Sequence, residues 1–286
     1  MSDGRVAWLD GAFLPLAEAR VPVTDRGFLF ADGVYEVTAV LDGRPVDAAA
    51  HLARLVRSAA ALEIALPSDP DEIAAVQRAL IARNGLEQGT VYLQLTRGAA
   101  ERDFLSPAGL APTLLMFTQA RDLLGDPAAE RGIAVATMPD LRWARRDIKS
   151  VALLAQVLAR REAAARGADE AWMVDADGLV TEGASSTALI VDAAGVLVTR
   201  PNSRAILPGC TRAAVTALAE RDGVRVEERA FTVAEALAAR EAILTSASRF
   251  VLPVVRIDDR PVADGRPGPV TRRLRELYVE AARGGL

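Results

Sequence analysis

The fold class predicted by the sequence is α/β in two domains. Three observations predict it. The chain has 286 residues, more than a single core usually organises. Strand-like runs alternate with helical periodicities in both halves. A polar stretch over 119–131, containing Gly125, Asp126 and Pro127, breaks the pattern and reads as a linker between a small domain (1–118) and a larger one (132–286).

In chain order, Val6-Ala7-Trp8-Leu9 followed by Asp10-Gly11 predicts a hairpin start, and Gly33-Val34-Tyr35-Glu36-Val37-Thr38-Ala39-Val40 a strand ending at Asp42-Gly43. Leu52, Leu55, Ala59 and Leu62 recur at helical spacing, as do Ile73, Val76, Leu80 and Ile81. Strand character returns over 90–96 and 113–118. Beyond the linker the pattern predicts a strand over 133–137 and a helix over 151–166, capped by Ser150 and closed by Gly167. Strands near 171–174 and 188–191, a helix over 212–221, a strand over 242–245 and a terminal helix over 270–282 complete two mixed sheets with peripheral helices.

Composition narrows the function. A hydrophobic content of 51% with 25% charged residues is ordinary globular usage, and a net charge of -4 lacks the basic surface that general nucleic-acid binding needs. No basic-then-apolar leader and no long uncharged apolar run is present, so the expectation is a cytoplasmic protein that neither crosses nor enters a membrane. One cysteine, Cys210, permits no internal disulfide, and one histidine, His51, permits no imidazole or thiolate metal cage.

Of the 34 lysines and arginines, only Lys149 is lysine. A drift towards arginine spares sites where arginine cannot do the chemistry: guanidinium stays protonated and forms no Schiff base, whereas an amine attacks a carbonyl. Lys149 sits in Asp147-Ile148-Lys149-Ser150 before the predicted helix, where the helix dipole would favour a neutral amine. Thr181-Glu182-Gly183-Ala184-Ser185-Ser186-Thr187 supplies an acid and small residues that let a ligand approach the backbone. Leu207-Pro208-Gly209-Cys210-Thr211-Arg212 opens a helix whose free N–H groups suit a phosphate, Thr245-Ser246-Ala247-Ser248 is a second small-hydroxyl turn, and Arg54 offers a countercharge. No dinucleotide glycine motif, Walker loop or nucleophile elbow is present, and His51 reads as a hydrogen-bonded structural residue.

In order and spacing these segments, together with Asp25-Arg26-Gly27, Asp32-Gly33-Val34-Tyr35-Glu36 and Thr96-Arg97-Gly98, resemble the class IV (fold-type IV) pyridoxal-phosphate aminotransferases over nearly the whole chain. The resemblance implies a small α/β domain and a larger α/β pseudo-barrel domain with the cofactor between them, and a homodimer. It implies that Lys149 attaches pyridoxal 5'-phosphate and then shuttles the substrate proton, and that Glu182 keeps the pyridine nitrogen protonated so that the ring is an electron sink. Arg54, Cys210, Thr211, Ser246, Ala247 and Ser248 would bind the phosphate and Leu207 would pack on the ring face, with Ala247 standing where relatives often have threonine. Tyr35 and Arg142 would line the substrate site. Gly33-Val34-Tyr35-Glu36-Val37 and Arg142-Trp143 look most like D-amino-acid transaminase, in which an arginine and a histidine two residues on hold the substrate carboxylate. Arg102 matches the arginine, but Phe104 replaces the histidine. The expected activity is ping-pong transfer from a D-amino acid to a 2-oxo acid, with side activity on (R)-amines. An (R)-amine transaminase, a branched-chain L-amino-acid aminotransferase and an aminodeoxychorismate lyase are the alternatives on the same fold, and a noncatalytic binding protein is the alternative of another class.

Overall fold

The computed structural model describes residues 4–284. They form two compact units: 4–123 together with Ile148–Ala152, and Leu124–Asp147 together with 153–284.

The first unit is built on an antiparallel sheet of six strands: β1 (Val6–Leu9), β2 (Ala12–Pro15), β3 (Gly33–Leu41), β4 (Arg44–Pro45), β5 (Gln88–Thr96) and β6 (Thr113–Ala120), in the order β2-β1-β6-β5-β3-β4. Helices α1 (Arg26–Phe30), α2 (Ala48–Ala61) and α3 (Pro70–Arg83) accompany it. Helix α3 starts where local chemistry says it should. Asp69 accepts the Asp71 N–H, Pro70 occupies the first turn, and Asp71 and Glu72 complement the helix dipole. Val34, Leu93, Leu95, Leu114 and Met116 from the sheet bury against Leu55, Ile73 and Leu80 of the helices.

The second unit begins with α4 (Ala128–Arg131) and β7 (Ile133–Pro139), followed by α5 (Leu154–Ala165), β8 (Glu170–Val174), β9 (Val180–Gly183), β10 (Thr187–Val191) and β11 (Leu197–Thr199). It continues through α6 (Cys210–Arg221), β12 (Val226–Glu228), α7 (Val233–Ala238), β13 (Glu241–Ser246), β14 (Phe250–Ile257), β15 (Arg260–Pro261) and α8 (Pro269–Gly284). Its sheet has nine strands in the order β12-β11-β10-β13-β14-β7-β8-β9, with β15 on β14. β9 also packs against β10, so the sheet curls into a half-barrel. Ile133, Val135, Trp172, Val198, Phe231 and Leu252 fill it.

The division between the two units, after Leu123, falls within the stretch 119–131, where β6 runs through Ala120 and α4 occupies the end. One local expectation is corrected. Ser150 does not cap the following helix, which starts at Leu154 after Leu153 and lacks a side-chain cap. The residues before that helix pair with β3 instead: Tyr35 N–H donates to the Lys149 carbonyl at 3.0 Å, Val151 N–H to the Gly33 carbonyl at 3.0 Å, and Ser150 bridges Val34. Backbone groups satisfied in a sheet cannot also open a helix. Among the described residues no helix is long and apolar enough to cross a membrane.

Candidate active site

In the first unit the added edge segment positions Lys149. Its N–H donates to Ser58 Oγ at 3.3 Å, and its Nζ lies 4.2 Å from the centre of the Tyr35 ring. No carboxylate pairs with the Lys149 Nζ among the described residues. The expectation that a helix dipole acts on it is corrected, because α5 begins beyond Leu153. Aromatic surroundings are present in its place: Tyr35 stacks on Tyr92 at 5.8 Å, and Tyr92 packs on Phe117 at 5.0 Å. Burial, with a smaller contribution from Tyr35, pushes the Tyr92 phenol up to about 12. Tyr92 therefore stays a neutral donor, to Gln94 at 2.7 Å.

Arg54 and His51 lie on α2 and meet Glu36 of β3. Arg54 Nε and Nη2 donate to the two Glu36 oxygens at 2.8 Å each, and His51 Nδ1 lies 2.7 Å from the same carboxylate. His51 is thus the hydrogen-bonded structural residue its helical setting suggested. Burial alone would push the Glu36 acid up, but the charge and hydrogen bonds of Arg54, aided by His51, hold it at about 2. Glu36 itself escaped the sequence reading as a site residue. Its signal was an acid at a buried strand position facing an Arg-bearing helix, which only the pairing of α2 with β3 reveals.

Arg102 and Phe104 lie on the exposed connection between β5 and β6, and Arg26, which the sequence reading did not single out for a role, holds that connection through the Asp103 carbonyl at 2.6 Å and the Phe104 carbonyl at 3.2 Å.

In the second unit Glu182 is buried on β9. Leu207 N–H donates to both of its oxygens at 3.1 Å, so Leu207 contributes its backbone. Arg142 donates to Glu182 through Nη1 and forms two further bonds to Asp140, at 2.9 and 2.7 Å. Thr181 Oγ1 donates to Asp140 at 2.7 Å. Burial pushes the Asp140 acid up and Arg142 outweighs it, so the carboxyl lies below its ordinary range. The guanidinium of Arg142, expected to line the substrate site, is committed to two carboxylates.

The start of α6 leaves its first N–H groups without a side-chain cap. Gly209 precedes it in an extended conformation, and Cys210 and Thr211 are buried. A Cβ on Gly209 would come within 2.7 Å of Thr187 Oγ1, so only glycine lets the turn pass this close to β10. Thr187 pairs with Thr245 of β13, whose buried Oγ1 has no hydrogen-bond partner among the described residues. Ser246 ends that strand, and Ala247 and Ser248 form the turn beyond it.

Glu170, also missed by the sequence reading, anchors the turn after Glu182. Its buried carboxyl, raised by desolvation, accepts from Ala171 N–H at 2.8 Å, Ser185 Oγ at 3.1 Å and Ser186 Oγ at 3.4 Å.

Comparison with known proteins finds similarity over nearly the whole chain. The family model described as amino-transferase class IV matches residues 33–257. D-alanine aminotransferase of Staphylococcus aureus (strain COL) is 38% identical over 278 residues, covering 96% of this chain and 98% of that protein. The crystal structure of the Escherichia coli branched-chain amino acid aminotransferase superposes with a TM-score of 0.91 at 26% identity, covering 99% of this chain and 96% of that one. A hypothetical aminotransferase from Mycobacterium tuberculosis, in its PLP-bound form, gives 0.86 at 25% identity, over 98% and 99% of the two chains.

Proposed function

The chain belongs to the class IV aminotransferases, and we propose that it transfers the amino group of D-amino acids, D-alanine among them, to 2-oxo acids in a ping-pong cycle. Pyridoxal 5'-phosphate is the cofactor of this family. The residues present fit it. An uncapped helix start, a glycine turn that only a bare backbone can make and an orphaned Thr245 hydroxyl suit a phosphate, and a buried carboxylate suits a protonated ring nitrogen.

In this reading the first-turn N–H groups of α6, the Thr211 hydroxyl and the 246–248 turn hold the phosphate, with Arg54 as countercharge, and Leu207 covers the ring face. Glu182 would hold a proton on the ring nitrogen, its carboxylate being fixed in place by Arg142 and the Leu207 N–H. Lys149 Nζ would hold the cofactor covalently and, once the donor's amino group has replaced it there, the freed amine would accept the α-proton of the donor. Bound there, the cofactor supplies a sink for the electrons left when the donor's Cα–H bond breaks. Tyr35 flanks the amine, and Arg102 holds the donor carboxylate by paired hydrogen bonds.

The observation that carries this reading is the sole lysine of the chain, seated on the face of Tyr35 with no carboxylate partner among the described residues. Borohydride reduction followed by peptide mapping tests it, with label expected on Lys149 alone; label elsewhere, or none, removes the assignment. D-specificity is supported by the relative at 38% identity and by Tyr35 and Arg102. The branched-chain L-amino-acid reading rests on backbones that superpose at lower identity.

The proposal extends to a homodimer working in the cytoplasm. Leu154, Val157 and Leu158 recur at helical spacing on α5 with exposures of 71, 49 and 52%, an apolar strip that a second copy would cover. The single, buried and unpaired Cys210 suits a reducing compartment.

A further inference from the structure

We propose that Phe30 and Phe104 form an aromatic clamp that fixes the Arg102 guanidinium, making Phe104 a positioning residue for donors that carry a carboxylate. The inference rests on the reading of Arg102 as the group that holds the donor carboxylate, and it names what holds Arg102.

Arg102 Cζ lies 5.3 Å from the centre of the Phe30 ring and 5.8 Å from that of Phe104, and the two rings are 5.5 Å apart at 44°. Both distances are within the range in which ring faces attract a guanidinium. A second arginine braces the clamp. Arg26 lies 4.8 Å from the Phe30 ring, donates through Nε to Asp32 at 2.9 Å, and holds the Asp103 and Phe104 carbonyls. The backbone beside Arg102 is thereby fixed, while among the described residues its side chain is held by ring faces alone.

That manner of holding has a chemical consequence. Rings attract the guanidinium plane without taking its hydrogens, so all five N–H donors stay available to a planar anion. Glu101 and Asp103 flank Arg102 in sequence, yet no carboxylate pairs with it among the described residues. A hydrogen-bonding residue at position 104 would orient Arg102 through a polar contact; phenylalanine does so through its face. The 80% exposure of Phe104 also means that replacing it disturbs little of the core.

Two readouts on the holoenzyme test the clamp: the calorimetric Kd of D-lactate, a carboxylate that lacks the reacting amine, and the KM and kcat for D-alanine. Phe104→Leu should raise both Kd and KM about three- to tenfold and change kcat less than about twofold, because the grip on the carboxylate is lost and the chemistry is not. Phe104→Trp, which keeps a ring face, should restore both constants. Unchanged Kd and KM in Phe104→Leu, or failure of Phe104→Trp to restore them, would overturn the clamp. Arg102→Ala separates the two claims. If it weakens D-lactate and D-alanine while Phe104→Leu does not, the clamp alone fails; if it weakens neither, the reading beneath it fails as well.

Discussion

Arg54 grips Glu36 by two parallel hydrogen bonds of 2.8 Å, both partners buried, with His51 on the same carboxylate. A guanidinium of α2 held in this way against β3 has one orientation.

The pair sets an acid dependence of stability. The Glu36 acid is depressed from 4.5 to about 2, so its contribution is complete above pH 4.5 and is lost as the pH falls towards 2. The amount is about 3 kcal/mol from the size of the depression. Glu36→Gln should lower the urea midpoint at pH 7 and flatten its fall between pH 4.5 and about 2.5. A variant whose midpoint tracks the parent through that window would show that another group carries the acid sensitivity.

Glu182→Gln should separate chemistry from folding. Arg142 keeps its two bonds to Asp140 in that variant, so no guanidinium is stranded and the melting temperature should move by only a few degrees. Turnover should fall about a hundredfold or more, since a neutral amide no longer holds the proton on the ring nitrogen. Half-reaction rates within a factor of about two of the parent, with cofactor retained, would assign the role to another acid.

Arg142→Met should behave in the opposite way. It leaves Asp140 and Glu182 buried without their shared countercharge, which costs on the order of 3–5 kcal/mol. Denaturant titration of the variant at pH 7 measures this, and a midpoint equal to the parent's would show that Arg146, 3.2 Å from Asp140, suffices.

The exposed ring of Phe104 next to Arg102 also offers apolar surface to a donor without a carboxylate. Slow turnover of (R)-1-phenylethylamine is expected, with Arg102→Ala impairing D-alanine far more than the amine. An amine trace flat over hours would remove the side activity and leave the main one standing.

How much of this was legible in the sequence differs by feature. The lone lysine stood out because its chemistry cannot be replaced by arginine, and the glycine and small-hydroxyl turns marked where backbone meets ligand. Strand composition located β3, β5 and β6, each rich in β-branched or aromatic residues. The setting of Lys149 was misread, since helical composition continues back through Val151 while the backbone there is claimed by β3. Asp140 and Glu170 were invisible for a different reason: a buried acid differs from a solvated one only in its partners, and Thr181 reaches Asp140, and the 185–186 hydroxyls Glu170, through tertiary packing. Phe104 could be seen as a departure from the family pattern, but its ring contact with Arg102 needed the folded connection.

Stereochemistry of the donor is the central claim, and single-turnover half-reactions followed by stopped-flow absorbance of the bound cofactor test it most directly. D-alanine should convert the cofactor to its amine form at a rate at least about a hundredfold above that of L-leucine, a difference of roughly 3 kcal/mol in transition-state binding. Faster conversion by L-leucine than by D-alanine would contradict the account.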